Sequence, residues 1–301
     1  MEQLHLFKDT IELKTQLKDR YLIPPFSVID KKQAVFKNLE KKYTSVDLNN
    51  GRSKLKTKNY KNNSIYAPKD NENSYISTFS PALAEILIKW FCVSGGTILD
   101  PFCGGISRGY AAGLNGFKYI GIDIRDEQIQ SNKQILNQTN FKNKVVYITS
   151  DSDIYLNNFN QKVDMVIACP PYHDLEKYSE LDNDLSNMCY DAFKMKYTSI
   201  LHKCVSVLND DSFLVIVLSD FRKKIKGGYF GCLNNFTGVT IDAINDKNID
   251  LYNEGIILSA IGSAGMRADK VFRYRKLTKI HEKFLVFYKG DMFKIKEKFK
   301  L

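Results

Sequence analysis

The chain has 301 residues, enough to bury one good-sized core, and its 44% hydrophobic and 26% charged content excludes a disordered protein. Its 44 Lys and Arg outnumber 34 Asp and Glu, leaving a net charge of +10. That excess favours a polyanionic partner through counterion release, and equally suits a lysine-rich solvated surface. The cysteines Cys92, Cys103, Cys169, Cys189, Cys204 and Cys232 are scattered without a C-x-x-C pair, so neither a metal site nor a disulfide framework is expected. The first residues lack the apolar core of a signal peptide, and no stretch approaches the ~20 apolar residues of a membrane span. A cytoplasmic protein fits these features, and they leave the oligomeric state open.

Residues 1–75 are basic and polar. They predict an N-terminal arm with a helix over Lys31 to Tyr43 and a Lys/Asn-rich run over Leu48 to Asn63, suited either to plain solvation or to clamping a nucleic acid. Residues 76–290 read as one α/β domain, and residues 291–301 as a basic C-terminal tail. Within the domain, periodicity predicts a helix over Pro81 to Val93, a strand over Thr97 to Asp100, a helix over Arg108 to Leu114 and a strand over Tyr119 to Asp123. A helix over Glu127 to Gln138 and strands over Val145 to Thr149 and Val163 to Ala168 follow. The helix Asp191 to Leu208 leads to strands over Phe213 to Leu218, Gly255 to Ser259 and Phe284 to Tyr288. Alternation of this kind implies a mostly parallel sheet covered on both faces, with ligands at the carboxyl ends of the strands. The two late strands suggest a reversed hairpin at one sheet edge.

The chemistry-bearing residues sit at those strand ends. Asp100-Pro101-Phe102 follows the first buried strand, and Gly104 and Gly105 open a helix, where glycine lets a cofactor approach the backbone and the helix start offers free N–H groups. About twenty residues on, Asp123 ends the next strand and can accept hydrogen bonds from both ribose hydroxyls of an adenosine-containing cofactor, or serve as a plain helix cap. Asp151, within Ser150-Asp151-Ser152, can face an adenine amino group or merely close a turn. The fourth strand ends in Cys169-Pro170-Pro171-Tyr172. Successive prolines there aim carbonyls into the crevice with no neighbouring N–H to quench them, and Tyr172 offers a ring on which a base can stack. Between the last two strands, Arg267, Lys270, Arg273, Tyr274, Arg275 and Lys276 make a basic loop over Met266 to Lys283 that suits phosphate contact or simple solvation.

Taken in order, these motifs resemble the DNA amino-methyltransferases, and more narrowly a group of bacteriophage-encoded DNA methylases. The general likeness covers roughly residues 76–290. The phage group adds Pro24-Pro25-Phe26-Ser27-Val28, Asp184-Leu185-Ser186-Asn187-Met188 and Tyr252-Asn253-Glu254. The resemblance implies a Rossmann-like class I fold, S-adenosylmethionine as cofactor, DNA as partner and methylation of an exocyclic amine, N4 of cytosine or N6 of adenine. It assigns Phe79 and Pro81 to the methionine end of the cofactor, Asp100, Phe102, Gly104 and Gly105 to its loop, Asp123 to the ribose and Asp151 to the adenine. Cys169 to Tyr172 become the catalytic tetrapeptide. Three positions depart from the pattern. Ile106 and Arg108 stand where small residues are usual, and Cys169 replaces an Asp, Asn or Ser whose oxygen accepts the target N–H, although sulfur accepts weakly. Three other readings stay open: Cys169 as the nucleophile of a pyrimidine C5 methyltransferase, an RNA methyltransferase, and an inactive DNA-binding protein on a cofactor fold.

Overall fold

The computed structural model describes residues 17–44, 78–224, 230–245, 248–259, 261 and 264–299. Ten strands are present among them: β1 (Val28–Asp30), β2 (Thr97–Asp100), β3 (Lys118–Asp123), β4 (Val145–Thr149), β5 (Val163–Ala168), β6 (Leu208–Leu218), β7 (Arg222–Lys224), β8 (Phe230–Leu233), β9 (Asp250–Leu258) and β10 (His281–Lys289). The helices are α1 (Ala34–Lys41), α2 (Pro81–Phe91), α3 (Ser107–Leu114), α4 (Asp126–Leu136), α5 (Ser152–Tyr155), α6 (Tyr190–Val207), α7 (Phe236–Ile244), α8 (Ala264–Phe272) and α9 (Ile295–Lys298). Eight strands form one sheet in the order β1-β9-β10-β6-β5-β2-β3-β4, while β7 and β8 pair separately.

Strands β4, β3, β2, β5 and β6 run parallel. Central β5 is apolar along nearly its whole length because both its faces are covered, with Val163 and Met165 through Ala168 fully buried. Alternating residues feed two cores. Ile98, Tyr119, Met165, Ile167, Val215 and Val217 pack with the buried face of α2 and with α3, whereas Leu99, Val166, Leu214 and Ile216 pack with α6 and α7. Helix α2 starts where Ser80 caps the Leu83 N–H at 3.3 Å and Pro81 takes the first turn, where a missing N–H costs nothing.

From β2 the chain builds outward through β3 and β4, and from β5 it builds the other way. The boundary between β2 and β5 is therefore a topological switch point, with a crevice at the carboxyl ends of the strands. The reversed hairpin expected from the sequence is the β9–β10 pair, and β10 is inserted between β6 and β9, antiparallel to both. The ring of Phe284 lies on Gly255 of β9, where an added Cβ would come within 2.1 Å of it. Because β10 runs backwards, its first residues lie at the crevice edge. The whole is a Rossmann-like, doubly wound α/β architecture, mostly parallel with one reversed strand near the edge.

Three expectations need correction. Residues 17–44 are not a free arm. β1 extends the sheet by pairing parallel to β9, Val28 opposite Ile256, and α1 buries Phe36. Tyr43 and Lys42 donate to the buried Glu85 of α2 at 2.8 and 2.7 Å. The helix spans only Ala34–Lys41, since Gln33 is extended and begins it, and the Leu48 to Asn63 run lies outside the described residues. The C-terminal tail docks as well, with the Phe299 ring 5.3 Å from that of Phe213. Finally, the stretch read as a basic loop begins inside helix α8. Helix α7, which the β-branched run Phe236–Ile244 conceals in the sequence, is held at its start by Asn235, which accepts from the Gly238 N–H, and by Asp220, which accepts from that of Thr237.

Candidate active site

The loop after β2 is built around a buried ion pair. Asp100 is fully buried and accepts from the Phe102 N–H at 3.1 Å, Arg108 Nε at 2.5 Å and the Tyr119 hydroxyl at 2.6 Å, with Arg108 Nη2 at 3.4 Å. A carboxylate offers about four lone-pair sites, so none is left for a ligand. Arg108 also donates to the Phe102 carbonyl at 2.5 Å and lies 4.7 Å from the centre of the Phe79 ring. The motif resemblance gives Asp100 to the cofactor; the side chain lies beneath the crevice lining and shapes the loop instead. Arg108, a departure from the motif, is the partner that makes this arrangement neutral. The adjacent Asp100 charge holds its guanidinium above the usual range despite burial. Ile106 is buried, and its carbonyl accepts from Tyr147 at 3.1 Å.

Gly104 has φ +51°, a left-handed conformation that favours glycine, and its N–H donates to Asp123 Oδ2 at 2.9 Å. A methyl group added at Gly104 or Gly105 would meet no atom within 4 Å, so this loop borders open space. Asp123 Oδ1 accepts from the Arg125 N–H at 2.9 Å, leaving each carboxylate oxygen one further lone pair. Burial pushes this carboxyl above its ordinary range, against the pull of the Arg125 N–H. Asp151 caps α5 through the Asp153 N–H at 3.0 Å and accepts from Asn183 at 3.1 Å and Lys196 at 2.5 Å, so one acceptor position remains.

These groups line a cavity of about 250 Å³ that also takes in Phe79, Ser80, Phe102, Gln128 and all of Cys169 to Tyr172. Pro81 is the first residue of α2 and lies outside the lining. Cys169 is half-buried. Burial pushes its thiol up to about 11; the Arg108 charge pulls the other way, while Glu282 and Asp100 push it further up. The Tyr172 and Phe236 rings meet edge to face, 6.2 Å apart, and the Tyr172 hydroxyl donates to Glu282 Oε1 at 3.4 Å. The cover over this end comes from the segment between β5 and α6, where Asp184 accepts from Ser179 and Ser186 and is itself buried. Lys31, Tyr178, Asn183, Lys196 and Glu282 also line the cavity, and the sequence motifs point to none of them. Lys31 follows β1 and Glu282 opens β10, so only the strand pairing brings them together, 3.8 Å apart.

The basic residues between β9 and β10 form an exposed ridge made of the second half of α8 and the loop that follows it. Tyr274 is 67% exposed and Phe272 48%, with Arg275 stacked 5.1 Å over Phe272 and Lys276 5.6 Å from the Tyr274 ring centre. Arg273 pairs with Asp269 at 3.2 Å, and Lys270 is exposed; the side chain of Arg267 lies outside the described residues.

Sequence comparison finds relatives for part of the chain. Residues 9–134 match the DNA methylase family model. The methylase match ends within α4, so it spans Asp100 to Asp123 and stops short of Asp151 and the tetrapeptide. A curated relative, the tRNA (guanine(10)-N2)-dimethyltransferase of Methanothermobacter thermautotrophicus, is 31% identical over 99 residues, which are 33% of this chain and 29% of that protein. This chain therefore spans less than a third of that relative's length. Among solved structures, TrmN from Thermus thermophilus superposes with a TM-score of 0.49 at 12% identity, covering 71% of this chain and 50% of that one. The magnesium protoporphyrin IX methyltransferase of Synechocystis, solved with bound SAM, gives a TM-score of 0.43 at 11% identity, over 70% of this chain and 79% of that one. No helix among the described residues is long and apolar enough to cross a membrane.

Proposed function

We propose that this protein methylates an exocyclic amino group of a DNA base, N4 of cytosine or N6 of adenine, using S-adenosylmethionine. The carrying observation is that one cavity joins the glycine loop and Asp123 to Cys169-Pro170-Pro171-Tyr172. The residues fit the cofactor: open space lies above Gly104 and Gly105, Asp123 keeps a lone pair on each oxygen for a ribose diol, and Asp151 keeps one for an adenine amine. Phe79 and Phe102 line its apolar walls. When bound, the cofactor supplies an electrophilic methyl group.

The chain's own residues then have to hold a base that has left its stack. The Pro170 carbonyl accepts from the target amine, Tyr172 packs against the base, and the segment carrying Tyr178 and Leu185 excludes water. Cys169 acts as a neutral neighbour, because a thiol pushed up to about 11 is overwhelmingly protonated at neutral pH. That property speaks against a nucleophilic attack on a pyrimidine ring. The curated relative's name also specifies an exocyclic amine, N2 of guanine, although in tRNA. RNA is for that reason the second reading.

DNA would lie across the ridge of Lys270, Arg273, Tyr274, Arg275 and Lys276, with Arg267 alongside in sequence. The resemblance to phage-encoded methylases at both ends of the chain supports the cytoplasm of a bacterial host as the site of action. Mass spectrometry of nucleosides after incubation with methyl-labelled S-adenosylmethionine and either duplex DNA or RNA tests the proposal. N4-methylcytosine or N6-methyladenine in DNA is expected; 5-methylcytosine, or label in RNA alone, overturns it.

A further inference from the structure

Resting on that amine-methylation reading, we infer that Glu282 is the catalytic carboxylate that accepts the target amine's hydrogen and removes its proton. An exocyclic amine presents two N–H groups, and as methyl transfer proceeds the nitrogen gains positive charge, so it needs a strong acceptor. Cys169 is a weak acceptor, and the prolines contribute only neutral carbonyls. Of the four carboxylates that line the cavity among the described residues, three are committed elsewhere. Asp123 is bonded to the glycine loop, Asp151 is pinned by Lys196 and Asn183, and Asp184 is buried against Ser179 and Ser186.

Glu282 alone faces the Tyr172 end. Its side chain is 34% exposed, one oxygen lies 3.4 Å from the Tyr172 hydroxyl, and Lys31 stands 3.8 Å from the other. It arrives from 110 residues downstream because reversed β10 begins at the crevice edge. The alternation of β10 puts Glu282 on the side of Phe284 and Val286, toward α2 and Phe79, across the cavity from the ring of Phe236 that supports Tyr172. A base held at the tetrapeptide therefore has the Pro170 carbonyl for one N–H and Glu282 for the other.

In the step, the amine nitrogen forms the new N–C bond while the bond from the methyl carbon to the donor sulfur breaks, its electron pair going to sulfur. One N–H proton passes to the Glu282 carboxylate and from there to solvent. Glu282→Gln preserves shape and hydrogen bonding to Tyr172 but removes the base. Its kcat on duplex DNA should fall about 100-fold with KM for DNA changed less than about threefold, in the range of general-base effects. Glu282→Asp should recover part of that loss, and formate added to Glu282→Ala should raise its rate. Calorimetric binding of S-adenosylmethionine should match the wild type in all three, which also shows that they are folded. If the wild type methylates an amine while Glu282→Gln keeps its full kcat, the Glu282 assignment falls alone. It falls likewise if Glu282→Asp and formate bring no recovery. If the wild type yields no methylated amine, the parent reading falls and takes this one with it.

Discussion

Arg108 Nε lies 2.5 Å from Asp100 Oδ2, and neither side chain is more than 5% exposed. The pair ties the end of β2 to the first turn of α3 and, through the Phe102 carbonyl, fixes the loop between them. Removing one partner strands a buried charge, at a cost of about 3–5 kcal/mol. Arg108→Met should therefore lower the urea midpoint steeply, and calorimetry should show weakened S-adenosylmethionine binding. An unchanged midpoint would show that the loop does not depend on this pair.

Asp123 serves both the loop and, in our proposal, the ribose. Asp123→Ala should weaken S-adenosylmethionine binding about 10- to 100-fold, two hydrogen bonds at roughly 0.5–1.5 kcal/mol each. Isothermal titration of the purified protein reads this directly. Equal affinity in the variant would remove Asp123 from the cofactor site.

With its thiol pushed up to about 11, Cys169 is thiolate in on the order of one molecule in ten thousand at pH 7 and one in a thousand at pH 8. Iodoacetamide should modify it slowly there, with a rate rising about tenfold per pH unit toward pH 10. Cys169→Ser should retain activity, since a hydroxyl is the better acceptor, while Tyr172→Ala should reduce it more. A dead serine variant together with a covalent adduct on DNA containing 5-fluorocytosine would establish the ring-attack chemistry instead.

Glu85 should carry an acid-sensitive part of the stability. Burial alone would push its carboxyl up, but hydrogen bonds from Lys42 and Tyr43 and the charges of Lys42 and Lys89 bring it below 4.5. A folded value below the unfolded one stabilises the protein above the unfolded pKa, and that contribution is lost as pH falls through the folded one. Glu85→Gln should thus flatten the decline in stability below about pH 4.5 seen by denaturant titration. It should also expose residues 28–43 to amide exchange.

The exposed ridge should set salt dependence without setting sequence preference. Arg275→Ala with Lys276→Ala should weaken binding to all duplexes and reduce the slope of log affinity against log salt by about 1 for each phosphate no longer neutralised. Fluorescence anisotropy across a salt series checks it, and an unaltered slope would place DNA elsewhere.

Much of this site is legible along the chain because it lies at strand ends. Apolar patterning predicts Val163–Ala168 to the residue, and Gly104, Asp123 and Cys169 to Tyr172 do meet at one crevice. The features hidden from a linear reading depend on pairings distant in sequence. Arg108 reads as a defect in the motif when Asp100 and Tyr119 are not known to surround it. Lys31 and Glu282 reach the cavity only because β1 joins β9 and β10 inserts in reverse. β6 begins at Leu208, five residues before the strand expected from Phe213, because the stretch through Asp210 and Asp211 carries no apolar alternation. Asp211 does take a positive φ of 57°, and the pairing continues past it.

The insertion of β10 also sets a timetable for folding. β6 is complete at Leu218 and β9 at Leu258, yet the strand that joins them is made after both. Until residue 289 is available, the apolar edge of β6 and the facing edge of β9 stay unpaired, a state that invites strand exchange with other chains. Long-range pairing of this kind is slow to form, so the rate of folding should be governed by the docking of β10 rather than by the helices. Catalytic competence would then appear together with the last step of assembly, because the same strand that closes the sheet delivers Glu282.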